Sequence, residues 1–257
     1  MSDIILSVEN VIMDFGGFRA VGGDHGLSFN VKRGGLLGLI GPNGAGKSTT
    51  FNLISGVLKP TKGRVAMDSV ELSTLKAAEI AGHGLGRTFQ TPRAFPSLSV
   101  IDNVMVGADH PEEGPIAALL GRWRAADAVL REKAEHALER VGLADRMNNP
   151  VANLSGGELR MLEIARQLNR NPRLLLLDEP TAGVDPSLQL KLAEILAQLH
   201  AEGTTLIVVE HNLAFLLDLA DSIVVLQNGA LLAEGDPDSI RRDPAVISAY
   251  LGADHET

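Results

Sequence analysis

The stretch Gly41 to Thr49, GPNGAGKST, constrains this chain more than any other. It follows the short apolar run Leu36 to Ile40 and leads into Lys47 to Ser55, where Phe51 and Ile54 share one side of a helical spacing. Strand, glycine loop and helix in that order form a βα unit, and the loop satisfies the pattern G-x-x-x-x-G-K-[ST]. Gly41, Gly44 and Gly46, with Pro42, Asn43 and Ala45 between them, let the backbone curl until successive N–H groups point inward at phosphate oxygens. The helix that follows adds its positive end. In such a cradle Lys47 contacts β and γ phosphates, Ser48 ligates Mg²⁺, and Thr49 closes the motif. A plain glycine turn with a surface lysine is the bland alternative, and the strand and helix on either side weigh against it. Kinases, GTPases and motors share this loop, so the loop alone leaves the reaction open.

The rest of the chain fits that start. Its 257 residues suit one large α/β domain or a core carrying a smaller lobe. Alternating patterns at Ile4 to Glu9 and Leu27 to Val31 predict half-buried strands, with Gly63 to Met67 and Leu85 to Gln90 as further strands around a helical pattern near Thr74 to His83. From Val100 to Gly142 the pattern is mainly helical. There the charged segment Trp123 to Val141 offers Val129, Ala137, Leu138 and Val141 as one apolar stripe. Strand and helix alternate again through Arg173 to Asp178, Ser187 to Ala201, Thr204 to Glu210, Leu213 to Leu219 and Ser222 to Leu226, which predicts a parallel sheet covered by helices. Asp109 to Pro115 reads as a surface loop.

Charge and composition remove other classes. Lys and Arg number 23 against 32 Asp and Glu, a net −9 with no basic run, which argues against nucleic acid and against a polybasic membrane anchor. With no cysteine, disulfides, thiolate catalysis and Cys-ligated zinc drop out. No run of about 18 uncharged apolar residues would span a bilayer, and the first ten residues do not resemble an export signal.

A second acidic element completes the chemistry. Leu174 to Glu179 reads LLLLDE, so four leucines drive a strand inward and the acidic pair falls at its carboxyl end, where parallel sheets place ligands. Asp178 would hold Mg²⁺ through water and Glu179 would polarise an attacking water. An acidic helix cap after a buried strand is the alternative. Ahead of it, Asn153 to Glu158 reads NLSGGE and leads into the helical Leu159 to Leu168.

LSGGE so placed resembles the signature sequence of ATP-binding cassette (ABC) ATPases. The resemblance covers nearly the whole chain and implies an α/β fold: a P-loop NTPase (RecA-like) core with an N-terminal antiparallel β subdomain and an inserted α-helical subdomain. It implies one nucleotide-binding domain over 1–257, with core and β subdomain in 1–90 and 171–257, helical subdomain in about 91–153, and signature motif and helix in 154–170. Ser155, Gly156 and Gly157 at a helix start would make a second anion cradle, serving the ATP of a second subunit in a head-to-tail dimer. Glu158 stands where glutamine is usual. The resemblance further assigns Phe15, with Phe18 as rival, to stacking on adenine. Gln90 goes to the metal or the attacking water, Asp185 in AGVDP to the dimer interface, and His211 after LIVVE to the γ phosphate. Core aromatic, helix start and core histidine are the ordinary alternatives for Phe15, Asp185 and His211.

RTFQTPRAFPSLSVIDNVMVG, the charged helical insert and the ending GDPDSIRRDPAVISAYLG are similar to LivG-type subunits of branched-chain amino-acid importers. LSGGE and GVDP also occur in lipopolysaccharide-export ATPases, which remain the alternative together with non-transport ABC proteins. The implied cofactors are ATP and Mg²⁺. The implied partners are a second ATP-binding subunit, identical or a sister, two transmembrane permease subunits and, indirectly, a solute-binding protein, at the cytoplasmic face of the inner membrane. A small-molecule kinase would have no use for LSGGE.

Overall fold

Residues 3–89, 93–108 and 123–253 are described by the computed structural model; Gln90 and the loop expected at Asp109 to Pro115 lie outside them. Packing divides the chain into two compact units. The first holds the residues up to Arg87, Arg173–Thr181 and those from Leu196 onward, and the second holds Thr88–Pro172 and Ala182–Ile195.

The first unit contains two sheets. Ile4–Phe15 (β1) pairs antiparallel with Phe18–Val21 (β2), Leu27–Lys32 (β3) and Lys62–Met67 (β5), and Val70–Glu71 (β6) extends β5. The strand expected to end at Glu9 runs on to Phe15. Asn10 takes φ 47° and the register shifts on both sides of it, so the strand bends at a bulge instead of stopping. The second sheet uses Leu36–Ile40 (β4), Leu85–Arg87 (β7), Leu174–Asp178 (β8), Thr205–Val209 (β9), Ser222–Gln227 (β10) and Ala230–Gly235 (β11), in the order β11-β10-β4-β9-β8-β7. All its pairs are parallel except the β10–β11 edge. β4, β8 and β9 are buried along their whole length, as continuous apolar runs covered on both faces require. Each buried leucine there contributes about 1.5–3 kcal/mol over an exposed one.

After β4 the chain moves to the far side of the sheet, returns through β7, β8 and β9, and then crosses β4 to β10. Strand order therefore reverses at β4, and its carboxyl end opens on the crevice where such sheets bind ligands.

The second unit packs helices Val100–Val106, Trp123–Arg140 and Gly156–Leu168 against one another. Ser99 caps the first of them, and the fully buried Asn103 ties its side chain to Phe95 and to the Ser99 carbonyl. The apolar stripe of the long helix differs from the expected one. Val129 is exposed, whereas Leu130, Ala134, Ala137 and Leu138 are buried, with Val141 just beyond the helix. The spacing Leu130, Ala134, Ala137, Val141 is the helical period, and Val129 falls off that face by one residue.

Candidate functional site

Register brings the ends of β8, β9 and β4 to one level: Asp178 pairs with Val209, and Val209 with Leu39. The loop Gly41 to Thr49, the acidic pair Asp178 and Glu179, and His211 therefore emerge at the same edge of one sheet. Lys47 is 5% exposed, and its Nζ donates to the carbonyls of Gly41 (2.7 Å) and Pro42 (3.0 Å). Burial pushes its pKa down, and the charges of Glu179 and Asp178 pull it back up. A buried ammonium resting on its own loop, with carboxylates near, is a cation arranged to receive an anion. Helix Lys47–Ile54 begins at Gly46 without any side-chain cap, so its first N–H groups have no side-chain acceptor at that end.

The donors suit Mg²⁺ bound along with phosphates. Ser48 is exposed at the start of the helix and Asp178 is a buried carboxylate at the strand end, both hard oxygen ligands of the kind a small divalent cation takes in small number.

Glu179 leaves β8 in the left-handed region, at φ 46°, while its N–H still bonds the Val209 carbonyl at 2.9 Å. A non-glycine residue at such an angle is uncommon and concentrates at functional sites. Its Oε1 lies 2.6 Å from Nε2 of His211. His211 is about half exposed and so is no core histidine. The expected base and the expected γ-phosphate contact thus hold each other. Glu210 clamps the arrangement from below: it is buried and accepts from the N–H groups of Thr181 (2.7 Å) and His211 (3.1 Å).

Phe15 and Phe18 face each other across the turn between β1 and β2, and both are exposed, Phe18 the more so. Neither belongs to the core. A backbone relay brings the neighbouring turn to the loop, since Gly22 N–H donates to the Gly229 carbonyl and Gly229 N–H to the Ala45 carbonyl.

The second unit holds the other group of expected site residues. Ser155 caps helix Gly156–Leu168 by accepting from the Glu158 N–H, and the Glu158 carboxylate accepts from the Ser155 N–H at 2.8 Å. That bond, more than the nearby Arg146, lowers the Glu158 pKa. A Cβ placed on Gly157 would come within 1.5 Å of Leu188 Cδ2, so any side chain there would have to displace Leu188 from its place against this helix. Asp185 starts that helix by accepting from the N–H groups of Ser187 and Leu188. Its role as a helix start is therefore real, whatever else the residue does.

A family model for the ABC transporter matches residues 25–182, and one for the branched-chain amino acid ATP-binding cassette transporter matches residues 230–256. This chain belongs to the ABC transporter family. The high-affinity branched-chain amino acid transport ATP-binding protein LivG of Salmonella typhimurium is 39% identical over 98% of this ABC ATPase and 99% of its own length. The probable LivG protein of Methanocaldococcus jannaschii is 36% identical over 96% and 97%. Among solved structures, the ADP conformation of an ATP-binding cassette of an ABC transporter superposes with TM-score 0.84 at 34% identity, covering 98% of this chain and 100% of that one. A dimeric structure of a bacterial ABC transporter cassette gives 0.73 at 26% identity, over 91% and 99%.

Two features of this ABC ATPase escaped the sequence reading although signals for them were present. Glu210 ends the apolar run LIVV just as Asp178 ends LLLL, and the same strand-end logic applies to both. Ser155 as the N-cap of helix Gly156–Leu168 is its ordinary reading; the missed part is that Ser155 and Glu158 spell S-x-x-E, the capping box, whose Glu158 half gives a local reason for glutamate at the fifth signature position.

Proposed function

We propose that this ABC ATPase energises uptake of branched-chain or other hydrophobic amino acids by ATP-driven dimerisation. The observation that carries the catalytic part is the buried Lys47, held on its own loop carbonyls at the same sheet edge as Asp178, Glu179 and His211. On binding, Lys47 exchanges its two carbonyl bonds for the β and γ phosphates, and the uncapped helix start takes phosphate oxygens. Ser48 and Asp178, with Gln90 as a further ligand, would hold Mg²⁺, which would supply charge neutralisation for the phosphates. Glu179 accepts a proton from the attacking water, and His211 turns from Glu179 toward the γ phosphate. Phe15, with Phe18 as alternative, stacks on the adenine. Ser155, Gly156, Gly157 and Asp185 serve the nucleotide of a second ATP-binding subunit, which is a copy or a sister.

The solute assignment rests on the match of residues 230–256 and on the relatives above. Partner subunits follow from it: two permease subunits in the membrane, a solute-binding protein beyond them, and this chain as a peripheral subunit on the cytoplasmic face. Among the described residues no helix is long and apolar enough to cross a membrane. Within the second unit, Phe89 and Phe95 stand exposed, with the Arg93 guanidinium 5.2 Å from the first ring and that of Arg166 5.6 Å from the second. This aromatic and cationic cleft suits an amphipathic permease helix.

Two experiments test the proposal. Lys47→Ala should lose ATP affinity, and unchanged nucleotide binding by titration would refute the cradle. Reconstituted in vesicles with its permease pair and binding protein, the wild-type chain should drive ATP-dependent accumulation of labelled leucine. ATP turnover without leucine accumulation in that system would remove the solute assignment and leave the ATPase standing.

A further inference from the structure

The segment matched by the branched-chain model ends in helices Pro237–Arg242 and Pro244–Ala253, which pack on β11 and on each other. Nothing in the reaction described above uses them. Val246 and Ala249 are buried on the inner face of the second helix, and one turn on from Val246 stands Tyr250, the only tyrosine of the chain. Its hydroxyl is buried from solvent and faces the backbone amide of Gly41, without the alignment of a full hydrogen bond to any described residue. Burial pushes its pKa up to about 12, offset in part by that amide, so the group stays a neutral hydroxyl throughout the physiological range.

Gly41 is the first residue of the phosphate cradle and has almost no freedom elsewhere. A Cβ there would lie 2.2 Å from the Leu226 carbonyl, and its own carbonyl already accepts from Lys47. One face of this glycine is thus fixed by β10 and another by the catalytic lysine. The remaining polar group, its N–H, has the Tyr250 oxygen before it. A buried polar oxygen with no aligned partner costs stability, a cost that a bond formed in the nucleotide-bound state would recover.

We propose that Tyr250 is a positioning residue for the phosphate cradle, its hydroxyl accepting the Gly41 N–H when Lys47 leaves the Gly41 carbonyl for phosphate. The C-terminal helix then sets nucleotide affinity from behind the loop, while the chemistry proceeds on the other side. This rests on the cradle assignment made above. Because α and β phosphates lie in the cradle, the effect is the same for ADP and ATP, and it is a binding effect with no share in the hydrolytic step.

The test compares wild type, Tyr250→Phe and Lys47→Ala, each as the full chain, by titration with Mg-ATP and Mg-ADP, by melting without nucleotide, and by steady-state hydrolysis. Phenylalanine keeps the ring and removes only the oxygen. Tyr250→Phe should bind both nucleotides about three- to tenfold more weakly, the worth of one ordinary hydrogen bond. KM should rise by the same factor with kcat unchanged, and the melting temperature without nucleotide should be equal or higher. If Tyr250→Phe matches wild type in affinity while Lys47→Ala has lost it, the positioning role is overturned and the cradle stands. A lower melting temperature with unchanged KM makes Tyr250 a packing residue only and also overturns it. If Lys47→Ala binds as wild type, cradle and positioning role fall together. Should Tyr250→Phe fold poorly, Tyr250→Leu gives the same affinity comparison on a smaller ring-free side chain.

Discussion

The two corners proposed to meet nucleotide are built on opposite principles. At the sheet edge, Lys47 is buried with only loop carbonyls for partners, helix Lys47–Ile54 lacks a side-chain cap, and Glu179 sits at an uncommon φ against His211. Its polar groups are held ready for a ligand that the fold itself does not supply. At the signature helix the reverse holds: Ser155 and Glu158 satisfy each other, and Asp185 satisfies the start of its own helix. That corner satisfies its own polar groups, and in the function proposed above it serves the nucleotide of a second subunit. Charges under tension mark the corner proposed to be catalytic, and local satisfaction marks the corner proposed to act on a partner's nucleotide.

The largest expected effect breaks the first corner. Glu179→Gln should keep ATP binding and dimerise while hydrolysis falls by about 10²–10⁴-fold, the usual worth of a general base. Near-normal turnover in a single-turnover assay would take the role from Glu179 and leave it to another group near His211.

Next in size is a change of shape in the second corner. Gly157→Ala should destabilise the protein by about 1–3 kcal/mol through overpacking on Leu188. Leu188→Ala in the same chain should recover much of that loss in denaturant unfolding; independent, additive losses would mean that the two side chains do not compete for one space.

Ser155→Ala removes one cap, worth about 1 kcal/mol of stability. Its effect on hydrolysis should appear only where two subunits meet. ATPase activity should fall at concentrations that support dimers, while nucleotide affinity of the monomer stays put. A drop in monomer affinity would place Ser155 against its own loop's nucleotide and dissolve the contrast between the corners.

Glu158→Gln should be the mildest, within about 0.5 kcal/mol, because glutamine also closes the capping box. Acid sharpens it. The Ser155 N–H holds the Glu158 pKa below its ordinary value, so the carboxylate's contribution is present above the unfolded value and is lost as pH falls through the lower folded value. The side chain is partly open to solvent, which keeps the contribution small. The Gln variant should lack that acid-dependent loss, and equal pH profiles in unfolding would show that the charge adds nothing to the cap.

Much of the first corner was legible in the chain because its parts are local. A glycine loop between an apolar run and a helix, and an acidic pair after four leucines, announce themselves through spacing and burial along a few residues. What adjoins them was not legible to the same degree. The bond between Glu179 and His211 joins residues 32 apart in sequence, and sequence periodicity says nothing about which strand ends become neighbours. Val129 shows the limit on a single helix as well. It is apolar and inside the right segment, yet only the packing of its neighbours decides which face is buried, and that face passes through Leu130 and Ala134. Gln90 was assigned by resemblance and lies outside the described residues.

The sequence by itself determined the phosphate loop, the acidic strand end, the signature and the alternation of strands and helices, since each depends on residue type and short-range spacing. The tertiary structure alone decided that β4 lies between β9 and β10, that Ala182–Ile195 groups with the helical unit, and that Tyr250 faces Gly41. Those outcomes depend on which distant segments share a surface. That is fixed by burial and hydrogen-bond satisfaction over the whole fold, and no stretch of the chain carries it alone.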